Sequence, residues 1–198
     1  MVQSNCTGAC VAVGSLNPGI LGDPNWLKAQ GVIDTTAEVS FQFDPTLLGP
    51  PRMSLEGLTW LCTPSHLTVD TATPDKINAG QYIKKALEKL CHTPVTGVGN
   101  NFHFRYPSPA PFTRFSSAAD ELLGDELLAS SQRFKIDRRG AQLVVTVHRR
   151  SGELQGVHQV DFNYHRAVAG ASAGAAAAAR WLEDKADTQG ILTRLDLA

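Results

Sequence analysis

The sequence has no run approaching the roughly 20 consecutive apolar residues that a membrane-spanning helix needs, so no membrane partner is expected. Its opening residues, MVQSNCTGAC, carry no Lys or Arg and no long apolar core. That excludes a secretory signal there and points to a cytoplasmic protein. An excess of one charge sign is also lacking: 18 Lys and Arg face 19 Asp and Glu, for a formal net charge of −1. The balance removes any global drive toward nucleic acid or anionic surfaces. Cysteine is scarce. Cys6 and Cys10 are spaced like half of a zinc site, but Cys62 and Cys91 are isolated from each other and supply no second half. The thiols therefore read as free in a reducing compartment. No His-Glu-x-x-His run and no phosphate loop ending in Gly-Lys occurs, and no cofactor is called for. GASAG, at 170–174, has the outline of a nucleophile elbow around Ser172, but no His follows residue 165 to complete a triad. Ser172 reads instead as a helix cap.

What is present suits a single domain over residues 1–198, with 42% hydrophobic and 19% charged residues. CVAVGS (10–15) reads as a short strand ended by LNPG, and GDPNWL as a brief helix with Asp23 as N-cap and Pro24 in first position. In TAEVSFQF (36–43), Val39, Phe41 and Phe43 alternate with polar residues, which predicts a half-buried strand followed by a DPTLLGPPR loop. LEGLTWLC and HLTVDT read as strands joined by TPS. A helix capped by Thr73 follows, with Ile77, Ile83, Ala86, Leu87 and Leu90 as its apolar stripe and its lysines on a solvated face. SSAADELLGDELLAS predicts a further helix, and QRFKIDRRGAQLVVTVHRR a hairpin turning at Arg139-Gly140. GVHQVDFNYHR (156–166) is another alternating strand. AGAAAAARWLEDKA is the strongest helix by propensity, with Trp181 and Leu182 as anchors. Hairpins exclude a regular βαβ repeat. The expected fold class is α+β: a mostly antiparallel, twisted sheet with amphipathic helices packed on one face.

TGVGNNFHFRY (96–106) combines a glycine-rich start with Asn, His and Arg. A dinucleotide fingerprint needs Gly at the sixth position and a helix directly afterwards. Position 102 is Phe, and the glycines lie inside a strand. Alternation instead sets Val98, Phe102, Phe104 and Tyr106 on one face. If the strands of 141–150 and 156–166 share its sheet, the other face carries Asn101, His103, Arg105, His148, Arg150, Asp161, Asn163 and His165. The glycines would let a neighbouring group approach that face closely. The face has three readings: plain solvated surface, a surface for a protein partner or for self-association, or a ligand or catalytic face. In the last, His103, His148 and His165 converge, with Asp161 orienting one of them or the three ligating a metal.

Charge is unevenly spread. Arg133, Lys135, Arg138, Arg139, Arg149 and Arg150 face only Asp137 in 132–150, about +5 there against about −6 elsewhere. Such a hairpin is either a surface kept soluble by its charge or a phosphate-contacting element, with Arg133, Lys135, Arg138, Arg139 and Arg149 as the contacts.

VAVGSLNPGI with NWL, then PSHLTVDTATPD, HTPVTGVGNNFHF and VDFNYHR, together resemble a sporadically distributed group of uncharacterised bacterial proteins. The resemblance runs through most of the chain in order. The resemblance implies an accessory role near defence or mobile elements, and carries no catalytic residue over. The leading expectation is a non-enzymatic interaction or accessory subunit that binds a protein partner or itself through a sheet face or edge. A nucleic-acid-associated subunit and an enzyme or ligand-binding protein with a His/Asp-lined face are the alternatives.

Overall fold

The computed structural model describes residues 5–43, 51–55, 57–106, 129–150 and 158–194. Nine strands form one sheet: β1 (Asn5–Gly14), β2 (Ser40–Gln42), β3 (Arg52–Leu55), β4 (Leu58–Cys62), β5 (His66–Thr71), β6 (Val95–Tyr106), β7 (Ala129–Arg138), β8 (Ala141–Arg150) and β9 (His158–Ala167). Their order across the sheet is β2-β3-β4-β5-β1-β6-β9-β8-β7, and every neighbouring pair is antiparallel. With α1 (Pro18–Leu21), α2 (Pro24–Ala29), α3 (Ala79–Lys89), α4 (Ala171–Ala178) and α5 (Trp181–Arg194), the chain is an α+β protein. None of the helices among the described residues is long and apolar enough to cross a membrane.

Alternation explains the register. Across β1, β6, β9 and β8 the residues Gly8, Phe102, Phe162 and Val145 stand opposite one another, and Cys10, Asn100, Tyr164 and Leu143 form the next row of the same parity. Trp181, at the start of α5, is fully buried against this parity. Its ring centroid lies 4.7 Å from that of Phe102. Gly8 makes room for it, because a Cβ there would sit 2.8 Å from the indole. α3 and α4 meet through small residues. A Cβ on Gly80 would fall 2.2 Å from the carbonyl oxygen of Ala178, and Gly174 lies under Leu87 and Val95. At the other end of the sheet, Trp60 donates its indole N–H to the carbonyl of Leu21 at 2.7 Å, tying α1 to β4.

Several local expectations hold. Asp23 caps α2, accepting from the Asn25 amide, with Pro24 in first position. The β7–β8 hairpin turns at Arg139 and Gly140, both at positive φ (53° and 69°), the pairing that a two-residue turn between twisted strands requires. Others are corrected. The 36–43 strand shrinks to the three residues of β2, and Phe41 and Phe43 are exposed instead of half-buried. Arg52–Leu55, part of which was read as loop, forms β3 and pairs with β4. The Thr73 cap gives only a turn; the cap of α3 lies five residues later, at Asn78, whose side chain accepts from the Gln81 amide. The alanine-rich helix is two helices, α4 and α5, with Ala179 and Arg180 between them. The break lets α4 lie on α3 while α5 turns Trp181 inward, so packing overrides propensity. Gly170, at φ 88°, takes the N-cap position instead of Ser172, and Leu182 is exposed instead of anchoring. The helix expected over SSAADELLGDELLAS lies outside the described residues apart from its last two positions, which begin β7.

Candidate functional site

The candidate face is set by the second parity of the same strands. Thr7, His103, Asp161 and Thr146 form one cross-strand row, and Ala9, Asn101, Asn163 and Val144 the next. Asn101, His103, Arg105, His148, Asp161, Asn163 and His165 share this parity, and Arg150 takes it by register on β8.

Asp161 is the centre of the site. His103 Nδ1 lies 2.8 Å from its Oδ1, His148 Nε2 lies 3.0 Å from its Oδ2, and Gln159 donates from Nε2 to Oδ1 at 2.7 Å. Burial pushes the Asp161 carboxyl up, but the hydrogen bonds from His103 and Gln159, with the charge of the two imidazoles, hold it below the ordinary carboxylate value. An ionised Asp161 can only accept. His103 therefore donates from Nδ1 and His148 from Nε2, so in the neutral form of each ring the lone pair lies on the other nitrogen, Nε2 of His103 and Nδ1 of His148. Both imidazoles remain reachable, with side chains 39% and 40% exposed. Such a ring can take a proton from a bound molecule through its free nitrogen, and the imidazolium is then stabilised by the carboxylate behind it.

His165 does not join the cluster. It stands four residues beyond Asp161 on β9, about 13 Å along the strand, opposite Gly99 and Gln142. Its ring instead lies over Gly97, where a Cβ would come within 2.9 Å of its Cε1. That is the close approach the glycines of 96–106 suggested. The convergence of three histidines is therefore reduced to two. Among the described residues no group of three or more His, Cys, Asp or Glu is arranged to hold a metal.

His103 also lines a cavity of about 550 Å3 between β1, β3, β4 and β5. Thr7, Ser54, Thr59 and Asp70 supply its polar groups, and Gly8, Ala9, Gly57 and Ala72 keep it open. Asp70 stands directly opposite both Ala9 and Thr59. Burial raises its carboxyl above the ordinary value, partly offset by Arg52 and His103. Asp70 was absent from the sequence-derived face because its β5 strand was not connected there to β1 and β6. The signal was present in HLTVDT, where Asp70 alternates with Val69 and Thr71.

The basic hairpin is less free than its composition implies. Arg133 and Lys135 are exposed on β7, at the parity of the candidate face. Arg138 instead donates twice to Asp187 of α5, at 2.5 and 2.6 Å, and Arg139 lies 3.5 Å from the same carboxylate. Arg149 takes the opposite parity to Arg150.

A second polar group was missed altogether. Arg166 Nη1 and Nη2 donate to Asp184 at 2.6 and 2.7 Å, and Asn100 Nδ2 donates to the same carboxylate at 2.8 Å, all deeply buried. Tyr164 donates its hydroxyl to Asp187 at 2.9 Å. Asn100 and Arg166 occupy inward parity in strands read as apolar on that side. The sign in the sequence was Trp181, Asp184 and Thr188 at helical spacing, which put a carboxylate on the same stripe as the anchoring indole. No family model matches the chain, and no curated protein matches it.

Proposed function

We propose that the protein binds a small polar molecule in the cleft beside His103, on a sheet face left open by helices that cover the other side, and that His103 exchanges a proton with it. One observation carries this reading. Asp161 fixes His103 from behind while the same residue lines a cavity with hydroxyl groups and a partly buried carboxylate. Plain solvated surface requires no such arrangement, and a carboxylate that orients an imidazole at the rim of a cleft is a recurrent binding and acid–base device. The test is a screen of small polar metabolites read on the imidazole resonances of His103 and His148. A ligand should move His103 in the wild-type protein and lose its effect in Ala9→Leu, which fills the cleft. Metabolites that move His103 equally in both proteins, or that never move it, contradict the reading.

A second reading, an interaction subunit that docks a protein partner at a sheet edge, is favoured by Phe41 and Phe43, exposed by 45% and 73% at β2. It predicts that Phe41→Ser with Phe43→Ser abolishes a complex isolated from the native host, and a complex unchanged by the pair would sink it. A nucleic-acid role is the weaker proposal, since Asp187 engages Arg138 and Arg139.

A further inference from the structure

Resting on the cleft reading above, we infer that the cleft selects a small primary amine, with Asp70 as the counter-ion of its ammonium group. Asp70 lies on β5 facing the cavity, between the small Ala9 on one neighbouring strand and Thr59 on the other. Among the described residues its carboxylate makes no hydrogen bond and no ion pair. Arg52 and His103 act on it electrostatically, yet neither comes within ion-pair distance. Three other buried or partly buried carboxylates are engaged: Asp161 by three side chains, Asp184 by two, Asp187 by Arg138 and Tyr164. A partly buried carboxylate that takes no donor from the described residues and faces a cavity is placed to accept from a cationic donor.

The remaining lining narrows the chemistry. Among the described residues that line the cavity, Asp70 and His103 are the ionisable ones, so an anionic ligand meets a carboxylate there without a matching arginine or lysine among them. One carboxylate and one imidazole form a smaller donor set than a resident divalent cation takes. Thr7, Ser54 and Thr59 offer hydroxyls that both donate and accept, which suits an amine carrying its own hydroxyl or carbonyl group close to the nitrogen. His103 faces such a ligand with its Nε2 lone pair and can accept from a second ammonium N–H. The same geometry gives His103 the proton that the preceding reading asks it to exchange.

The test is an amide-resonance titration of the intact protein with 2-aminoethanol, compared with 1,2-ethanediol, which keeps a hydroxyl and lacks the charge, and with acetate, which reverses it. 2-Aminoethanol should shift Thr7, Thr59 and Asp70, and the other two probes should leave them in place. Asp70→Asn, which keeps size and shape, should weaken the response on the order of tenfold or more, and Thr59→Val should weaken it less. Equal responses to 2-aminoethanol and 1,2-ethanediol, or a response that survives Asp70→Asn, overturn the amine assignment. Silence of all three probes overturns it as well. None of these outcomes touches the His103 screen with its Ala9→Leu control, which decides the cleft reading separately.

Discussion

Replacing Asp184 by Leu leaves Arg166 buried, 7% exposed, with both donors to that carboxylate cut and the Asn100 amide stranded beside it. Removing one member of a buried charge pair costs about 3–5 kcal/mol, because the surviving charge stays desolvated without compensation. That is a large part of the about 5–15 kcal/mol that holds a domain folded. With a urea slope toward the top of the usual range of about 1–3 kcal/mol per molar, the unfolding midpoint should fall by roughly 1–2 M. The double variant Arg166→Met/Asp184→Leu removes both charges and leaves only the Asn100 amide without its partner, a cost of about 1–3 kcal/mol. It should therefore be more stable than Asp184→Leu alone. Equilibrium urea unfolding followed by tryptophan fluorescence reads both numbers, since Trp181 sits one helical turn from Asp184. A single variant that loses less than about 1 kcal/mol, or a double variant that sums the two single losses, would mean that the buried Arg166–Asp184 pair does not hold the fold in this way.

Three further outcomes are expected. Trp181→Ala should cost about 3–5 kcal/mol by emptying the space between Gly8 and Phe102, measured by the same unfolding curves on Phe or backbone signals. Asp187 is held below the ordinary carboxylate value, by the Arg138 hydrogen bond first. Its contribution is therefore complete above its unfolded pKa and lost as pH falls through the depressed folded value; Asp187→Asn should lower the neutral-pH midpoint and flatten the acid limb of a stability–pH profile. Asp70 has the opposite sign, since burial raises its pKa and its charged form opposes folding above that value. Asp70→Asn should raise stability near neutrality and leave it unchanged in strong acid, where both side chains are neutral.

The strand alternation was readable because period-2 patterning depends on local sequence alone: Phe102, Phe104 and Tyr106 on one side and Asn101, His103 and Arg105 on the other follow from spacing. The same was true of the Arg139-Gly140 turn, whose residue types tolerate positive φ. What spacing cannot carry is which strand lies beside which. Asp161 meets His103 from 58 positions away and His148 from 13, and Asp70 joins them through β1. Asn100 and Arg166 broke the apolar pattern of their faces for a reason that lies on α5, in Asp184. The alanine run misled for a related reason: high propensity marks where helix forms, and the positions of Trp181 and Asp184 decide where it must bend.

A small-molecule cleft at His103 should yield its occupant when the protein is purified from its native host and denatured, and the released small molecules are identified by mass spectrometry, with Ala9→Leu as the blocked control. The expected result is a discrete polar molecule, stoichiometric with the wild-type protein and missing from the blocked variant. Identical small-molecule profiles from the two proteins would contradict it.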